Sequence, residues 1–217
     1  MVDSDPFATT LCRLVVLRGK VGVGKTAVLR ALAAAGGAAL DLEALAAHRG
    51  SAFGGAGLGA QPSHRTFQER LIAAWRSLEG SGVVFVEHEG PYVGSVGLPP
   101  SLVTAIDLAD GVVLSAPDGA RVDRIIAEYG AAPVEDLFLG LRRVERRLGK
   151  HRFAAAWRAL ERNDLPGAVR ALLPYYDAAY SHQIASAKGA TLAVVETGGR
   201  APGLVASDVR HLAAAPA

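Results

Sequence analysis

The stretch Gly19-Lys-Val-Gly-Val-Gly-Lys-Thr26 decides the fold of this 217-residue chain. It matches the pattern G-x-x-x-x-G-K-[ST] at each fixed position. The apolar run Leu14–Leu17 before it predicts a buried strand, and the segment Ala27–Ala33 after it predicts a helix. A strand, a glycine-rich turn and a helix in this order are typical of a phosphate-binding loop, because backbone N–H groups and the positive end of the helix dipole converge on one anion.

The residue types inside this loop predict separate tasks. Lys25 would reach the terminal phosphate oxygens, and the hydroxyl of Thr26 would hold a Mg²⁺ ion. A glycine-rich turn with a chance lysine is the structural alternative, and the flanking strand and helix favour the phosphate site. The predicted phosphate-binding residues are Gly19, Gly22, Val23, Gly24, Lys25 and Thr26.

The composition excludes several classes of protein. A net charge of only +2 argues against a general coat for nucleic acid, and the single cysteine, Cys12, excludes an internal disulfide framework or a multi-cysteine metal site. Its position in an apolar strand predicts an inert thiol. We find no run of about eighteen apolar residues and no signal pattern at the N-terminus, so we expect a cytoplasmic protein without a membrane partner.

The order of apolar runs and turn residues predicts an α/β chain. Strands are expected at 11–17, 38–41, 83–86, 111–115 and 191–195. Because helical patterns alternate with them, we predict a mostly parallel five-stranded sheet with helices on both faces, a three-layer fold like that of P-loop NTPases. Residues 134–187 read as a C-terminal helical segment, broken at Gly149, near Pro166 and at Pro174. The length favours one domain over residues 1–217.

Acidic residues follow two of the predicted strands. Glu87 and Glu89 come directly after the strand at 83–86, at the edge where a parallel sheet binds ligands. There they could orient Mg²⁺ or accept a proton, and ordinary surface carboxylates are the alternative. Asp41 and Glu43 lie at the same edge after the second strand. Asp41 could equally cap the next helix.

The segment Arg142–Arg152 carries six lysine or arginine residues in eleven positions. At helical spacing Arg142 pairs with Arg146, and Arg143 pairs with Arg147, so two neighbouring ridges are basic. We interpret this segment as a lid or a surface for tRNA phosphates. A solvated helix face is the alternative.

Two further features have open interpretations. Arg121, at the start of a predicted helix, could reach the ligand edge or be an ordinary surface charge. The run Pro174–Tyr180 holds three tyrosines and an aspartate. Its aromatic rings could stack on bases, but core packing is the commoner use of such residues.

Three stretches carry a resemblance to a known family. The segment DLEALAAHRGSAFGGAGLGAQPS (41–63), together with the phosphate loop, resembles the P-loop domain of tRNA 2-selenouridine synthase. VEHEGPYVG (86–94) and LLPYYDAAYSH (172–182) resemble later family segments, and all of them occur in the family's order. The resemblance runs from Leu11 to Val195. The HRGS block (residues 48–51) is far more specific to this family than the phosphate loop alone.

The resemblance implies a transferase that modifies the wobble 2-thiouridine of tRNA. Members of the family attach a geranyl group from geranyl diphosphate to the sulfur and then exchange the whole S-geranyl group for selenium from selenophosphate. A diphosphate is also what the Gly19–Thr26 loop can hold. Lys25, the loop amides and Arg49 would then stabilise the leaving group as its charge develops.

The same resemblance, taken with the residue types, suggests site residues outside the loop. Phe53, Leu58 and Phe67 could line a prenyl slot or belong to the core, and His48 could act on the thiouridine or fill a helix end. The proposed catalytic residues are His48, Arg49 and Glu87, with Thr26 and Glu87 as metal ligands. The proposed substrate-binding residues are Ser51, Phe53, Gln61, Arg142 and Arg146.

The family usually carries an N-terminal rhodanese-like domain with a catalytic cysteine. Since about eighteen residues precede the phosphate loop here, the resemblance implies that a separate rhodanese-like partner supplies that function or that it is lost. Two other hypotheses remain open. A small-molecule or nucleotide kinase would use the loop, the acidic residues and the arginine-rich segment, but it leaves HRGS unexplained. A non-catalytic tRNA- or nucleotide-binding subunit is the third.

Overall fold

A five-stranded parallel sheet lies at the centre of the structure, a computed structural model that describes residues 6–7 and 12–214. The strands within these ranges are β1 (Arg13–Arg18), β2 (Ala38–Leu40), β3 (Val83–Glu87), β4 (Tyr92–Val93), β5 (Val96–Gly97), β6 (Asp110–Ser115) and β7 (Thr191–Glu196). The sheet order is β2-β3-β1-β6-β7, and each neighbouring pair is parallel. The short strands β4 and β5 form a separate antiparallel hairpin. The predicted α/β fold is confirmed.

Helices connect the strands and cover both faces of the sheet. They are α1 (Lys25–Ala34), α2 (Leu42–Ala46), α3 (His64–Ser77), α4 (Pro100–Leu108), α5 (Asp118–Tyr129), α6 (Val134–Leu148), α7 (Lys150–Glu161), α8 (Leu165–Ser186) and α9 (Pro202–Ala214). The predicted start of the first strand at Leu11 lies outside the described residues, and the described strand begins at Arg13.

The alternation of side chains along β1 separates two hydrophobic layers. Val15 and Leu17 point to one face, where they pack in a core shared with α1 and α9. Leu14 and Val16 point to the other face, where the core is shared with α2, α3 and α4. Because successive residues of a strand point to opposite sides, one buried strand supports both layers. The three-layer arrangement follows directly from this pattern.

A third core joins helices α5, α6, α7 and α8 beside the sheet. The predicted break at Gly149 is confirmed, since α6 ends at Leu148 and α7 begins at Lys150. The predicted break at Pro174 is wrong, because α8 continues through that proline to Ser186. Tertiary contacts anchor α8 on both sides of the proline, since Leu173 is buried and Asp177 forms an ion pair with Arg121. Whether the whole chain is one domain stays a prediction.

A buried arginine ties this helical layer to the phosphate loop. Arg121 on α5 is only 1% exposed, so the surface-charge interpretation is wrong. Its guanidinium pairs with Asp177 on α8 and donates from Nε to the carbonyl oxygen of Val21 at 2.9 Å. Although burial alone would raise the pKa of Asp177, the hydrogen bond and charge of Arg121 outweigh it and lower that pKa. The aspartate of the tyrosine-rich run, Asp177, therefore has a structural role as the partner of a buried arginine.

We expect Asp177→Ala to lower the free energy of unfolding by about 3–5 kcal/mol, because it leaves the Arg121 charge buried without its main partner. Asp118→Ala is the matched control: its carboxylate also pairs with Arg121, at 2.9 Å, but is 79% exposed. That change should cost less than about 1 kcal/mol. Urea unfolding of both variants measures the difference, and equal losses would contradict the assignment.

Candidate functional site

The phosphate loop between β1 and α1 depends on its glycines. Gly22 and Gly24 have φ angles of 77° and 94°, which side chains larger than hydrogen rarely adopt. A Cβ atom on Gly19 would lie 2.6 Å from the carbonyl oxygen of Leu114, and one on Gly22 would lie 2.7 Å from that of Arg121. Gly24 is the N-cap of α1, so the first N–H groups of that helix, which have no partner within the helix, lie at the loop.

Arg124 and Thr197, which the sequence analysis does not single out, bind carbonyl groups of the phosphate loop. Arg124 on α5 donates to the carbonyl oxygens of Gly22 and Val23 at 3.2 and 3.1 Å, and to that of Thr197 at 2.6 Å. The hydroxyl of Thr197, which follows β7, donates to Val23 at 2.7 Å. The carbonyl groups of the loop are thereby turned toward α5 and β7. No local sequence signal links residues more than seventy positions apart.

Lys25 lies across the loop that precedes it. Its Nζ donates to the carbonyl oxygen of Gly19 at 3.1 Å and to that of Lys20 at 3.5 Å. The same ammonium group lies 5.0 Å from the centre of the Tyr180 ring. Tyr180 closes the tyrosine-rich run on α8, so one of its aromatic rings reaches the phosphate loop rather than the helical core.

Three carboxylates gather next to the loop. Glu43 on α2, Glu87 at the end of β3 and Glu89 each offer an oxygen within 4.8 Å of the others. The hydroxyl of Thr26 donates to Glu43 at 3.2 Å. Glu87 is 2% exposed, and its Oε1 has no hydrogen-bond partner among the described residues. All three glutamates were predicted at this edge of the sheet, and the structure brings their carboxylates together.

Mutual repulsion and burial change how these acids titrate. Burial, followed by the charges of Glu87 and Glu89, raises the pKa of Glu43 to about 9. Burial and the charge of Glu87 raise the pKa of Glu89 to about 8, and burial also raises the pKa of Glu87. Carboxylate oxygens and a hydroxyl are the ligands that Mg²⁺ prefers. The unpartnered oxygen of Glu87 therefore fits a divalent cation bound beside Thr26.

Asp41 does not join this cluster. Its carboxylate accepts from the backbone N–H of Ala44 at 2.8 Å and from Nε of Arg30 at 3.1 Å. Asp41 is therefore the N-cap of α2, which decides between the two interpretations of this residue.

The HRGS turn borders the same cavity as the phosphate loop. His48 and Arg49 line a cavity of about 680 Å³ together with Lys25, Thr26 and Glu87. This juxtaposition joins the two most specific sequence blocks. They approach because Ala47 ends α2 in the left-handed conformation and turns the chain toward the loop.

His48 is held in a narrow, largely buried place. A Cβ atom on Gly54 would lie 2.6 Å from the imidazole Cε1, so only glycine fits there. Its Nδ1 has no hydrogen-bond partner in the described part of the chain. Burial lowers the pKa of His48, and the nearby charges of Arg143 and Arg49 lower it further. The imidazole is therefore neutral at pH 7.

Arg49 and Ser51 line the same cavity as His48. Arg49 pairs through Nε with Glu128 at 3.1 Å and lies 5.0 Å from the centre of the Tyr129 ring. The hydroxyl of Ser51 lies 3.3 Å from that of Tyr129 and accepts from the N–H of Phe53 at 3.1 Å. A cation and a hydroxyl thus accompany the phosphate loop in one cavity.

Gln61 has a structural task in place of the predicted substrate contact. Its Nε2 donates to the carbonyl oxygens of Ala46 and Val93, both at 3.0 Å, and its Oε1 accepts from the N–H of Ser95 at 2.8 Å. The amide thus fastens the loop to the β4–β5 hairpin. Phe67 is fully buried in the core, and this resolves its two interpretations.

The basic ridge nearest the site is not the one predicted to bind substrate. Arg142 and Arg146 are exposed on α6, and Arg142 lies 5.4 Å from the centre of the Trp157 ring. Neither is among the described residues that line the phosphate cavity. Arg143, one position after Arg142, donates to the carbonyl oxygen of Ala52, the residue that follows the HRGS block, at 3.1 Å. The rotation of α6, set by its buried face, decides which ridge approaches.

Two remaining features have little bearing on the chemistry. Cys12 is half-buried against the core, and burial raises the pKa of its thiol, which agrees with an inert residue. Within residues 6–7 and 12–214, no helix combines the length and hydrophobicity needed to span a membrane.

A parallel sheet with a glycine-rich loop between its central strand and the following helix defines a P-loop protein of the α/β class. A family model described as the tRNA 2-selenouridine synthase AAA domain matches residues 12–200. The chain belongs to this family, as the resemblance of the three sequence stretches predicted.

Relatives named tRNA 2-selenouridine synthase match over parts of their length. The one from Pseudomonas syringae pv. tomato is 34% identical over 214 residues, covering 84% of this chain and 57% of the relative. Those from Verminephrobacter eiseniae and Sulfurovum sp. are 37% and 30% identical, covering 59% and 78% of this chain and 34% and 54% of the relatives. The chain thus spans about a third to just over half of these relatives.

Among solved structures, TT1252 from Thermus thermophilus covers 96% of this chain and is itself covered completely. The sequence identity is 20% and the TM-score is 0.43.

The carboxylate cluster predicts how stability depends on pH. In the folded state the pKa of Glu43 is raised to about 9 and the pKa of Glu89 to about 8, whereas the ordinary pKa of a glutamate is 4.5. Above pH 4.5 the unfolded chain releases these protons, so stability falls as pH rises, by at most about 1.4 kcal/mol per pH unit for each proton. With EDTA present, we expect Glu89→Gln to flatten this fall between pH 5 and 8.

Urea unfolding at several pH values measures that slope. Glu69→Gln serves as the control, since Glu69 lies exposed on α3 and pairs with Arg65 one turn earlier on the same helix. A Glu89→Gln protein whose stability follows the wild-type pH curve would show that Glu89 is charged in the folded state.

Proposed function

We propose that this chain binds geranyl diphosphate at the phosphate loop and transfers its geranyl group to the sulfur of the wobble 2-thiouridine of tRNA. The observation that supports this proposal is the single cavity bordered by the loop, the HRGS turn and the acidic cluster. The names of the relatives give the tRNA substrate class. A diphosphate leaving group gives the loop a defined role in the reaction.

The reaction forms a carbon–sulfur bond and breaks a carbon–oxygen bond. The thiouridine sulfur attacks C1 of the geranyl group, the N3 proton leaves, and inorganic diphosphate departs with the bonding electrons. Negative charge grows on the diphosphate oxygens in the transition state. Lys25, the first N–H groups of α1 and Arg49 stabilise that charge, because they are already positioned before the reaction begins.

His48 is the proposed acceptor of the N3 proton. Its imidazole is neutral at pH 7, and its Nδ1 has no partner among the described residues. A neutral imidazole can accept a proton from the nucleobase and hold it near the sulfur. We expect His48→Gln to lower kcat while the Kd for geranyl diphosphate stays unchanged, and a changed Kd alone would contradict the assignment.

Mg²⁺ is the proposed metal of this site. Thr26 and Glu87 would hold it, with Glu43 and Glu89 beside them. When bound, the ion neutralises charge on the diphosphate. We expect Mg²⁺ to raise the melting temperature of the wild-type protein and to have no such effect on Glu87→Gln. A rise of equal size in both proteins would place the ion elsewhere.

The tRNA backbone is proposed to lie along Arg143 and Arg147. Arg143 contacts the loop after the HRGS block, and Arg147 follows one turn later on the same face of α6. Phosphates on this ridge would bring the anticodon to the site. Arg147→Gln should weaken tRNA binding and reduce the dependence of log K on log salt by about one, whereas an unchanged salt dependence would exclude this path.

Selenation is a further part of the proposal, with a rhodanese-like domain supplying a cysteine. The selenium of selenophosphate would attack C2 of the S-geranyl nucleoside, and geranyl thiol would leave with the original sulfur. Hydrolysis of the selenium–phosphorus bond would then release phosphate and leave selenouridine. Selenouridine should then form in tRNA only when a rhodanese-like protein accompanies this chain. Its formation by this chain alone would remove the need for such a partner.

We expect Lys25→Ala to weaken the binding of geranyl diphosphate by roughly tenfold to a hundredfold, the usual loss for a hydrogen bond to a charged group. Lys20→Ala is the matched control, because Lys20 lies in the same loop but faces Asp177 at 3.5 Å. Isothermal titration calorimetry measures both. Circular dichroism checks that each variant is folded, and full affinity in Lys25→Ala would overturn the role of the loop.

One experiment separates the three functions. The purified chain is incubated with 2-thiouridine tRNA and either geranyl diphosphate or ATP with Mg²⁺, and the digested nucleosides are analysed by mass spectrometry. An S-geranyl nucleoside supports the proposal. ATP turnover without it supports a kinase, and tight tRNA binding with neither supports a binding subunit.

A further inference from the structure

An apolar cavity of about 60 Å³ lies inside the helical layer. Side chains from α5, α6, α7 and α8 surround it, among them Ile125, Leu137, Leu160 and Ala168. Protein interiors seldom keep a space larger than one water molecule, because each lining atom loses its packing contacts. Since about 10–15 Å³ of such space admits a single water, this cavity has room for a branched hydrocarbon group of about four or five carbons.

The cavity adjoins the phosphate site. Val21 of the phosphate loop, Ser51 of the HRGS turn and Tyr129 of α5 line both this cavity and the larger one that holds Lys25. The hydroxyl groups of Ser51 and Tyr129 contact each other at 3.3 Å, so the polar groups lie at this common wall. Apolar space therefore begins where the anion site ends.

This arrangement fits a ligand with two different ends. An anionic head on the phosphate loop would leave an apolar tail beside Val21, with the cavity as the nearest place away from water. Apolar cavities of this kind stay dry and take up hydrocarbon groups. A nucleotide, by contrast, would present a polar sugar and base to the same wall.

We propose that the cavity between α5, α6, α7 and α8 binds the hydrocarbon tail of the ligand whose diphosphate occupies the phosphate loop, and that it holds the terminal branched unit of that tail. This inference rests on the proposed function for the identity of the donor. It adds the position of the hydrocarbon tail, and it explains how the protein would select the length of that tail, because the cavity has a limited volume. Phe53 forms part of the wall and packs against Gly140, where a Cβ atom would not fit.

The test is a substitution that enlarges a side chain in the wall of the cavity and so fills part of its volume. Ala168 on α8 is 2% exposed and borders the space, so Ala168→Leu places three more carbon atoms inside it. We expect this variant to bind geranyl diphosphate roughly tenfold or more weakly, the loss for displacing about two buried methylene groups. The affinities for inorganic diphosphate and for five-carbon dimethylallyl diphosphate should stay unchanged, because neither reaches the filled region.

Ala178→Leu is the matched control, since Ala178 is exposed on the same helix. It should leave all three affinities at the wild-type values. Ala168→Val, a smaller filling, should give an intermediate loss and replaces Ala168→Leu if that variant fails to bind inorganic diphosphate. Isothermal titration calorimetry measures the affinity of the wild-type protein and of each variant for the three diphosphates.

The outcomes distinguish this inference from the proposed function. If the wild-type protein binds geranyl diphosphate no more tightly than inorganic diphosphate, or if both fillings leave geranyl affinity unchanged, the cavity is not the tail site, although geranyl transfer can still occur. If the wild-type protein binds diphosphates but forms no S-geranyl nucleoside, the proposed function fails while the tail site stands. A selective loss for geranyl diphosphate in both fillings supports the inference.

Discussion

Two arginines of α5, the buried Arg121 and the half-buried Arg124, fix the backbone of the phosphate loop, and the rest of the site depends on them. Arg121 donates hydrogen bonds to the carboxylate of Asp177 and to the carbonyl oxygen of Val21, while Arg124 donates to the carbonyl oxygens of Gly22 and Val23. A loop of glycines loses much conformational entropy on folding. These hydrogen bonds to its carbonyl groups offset that cost and leave the amides free to face an anion.

The electrostatics of the site are balanced between one strong cation and several acids. Lys25 lies near Glu43, Glu87 and Glu89, yet burial still raises the pKa of each carboxyl group. Such a cluster is costly without a cation or bound protons, because charges in a region of low dielectric repel strongly. Strained electrostatics of this kind are typical of sites that bind ligands, and here they lie within reach of Thr26.

The chemistry of the site is divided between two kinds of space. The larger cavity carries cations, carboxylates and a neutral imidazole, whereas the smaller cavity inside the helical layer is lined almost wholly by apolar side chains. The common wall of Val21, Ser51 and Tyr129 joins them. A diphosphate ester with a hydrocarbon tail matches both spaces at once, and this match connects the helical layer to the proposed reaction.

The sequence by itself determined the strand, loop and helix around Lys25, because glycine spacing and apolar periodicity are local properties of the chain. It also placed Glu87 at the ligand edge, since the carboxyl ends of parallel strands share one side of a sheet. The HRGS block identified the family. Each of these signals lies within a few residues of the feature that it predicts.

Only the tertiary structure decided which distant side chains complete the site. Arg121 and Asp177 are 56 positions apart, Arg124 and Thr197 are 73 apart, and no local pattern records either pairing. The rotation of α6, which brings Arg143 rather than Arg142 toward the HRGS loop, depends on how its buried face packs. Long-range packing sets these contacts, because a side chain's partner is chosen by the fold and not by its neighbours in sequence.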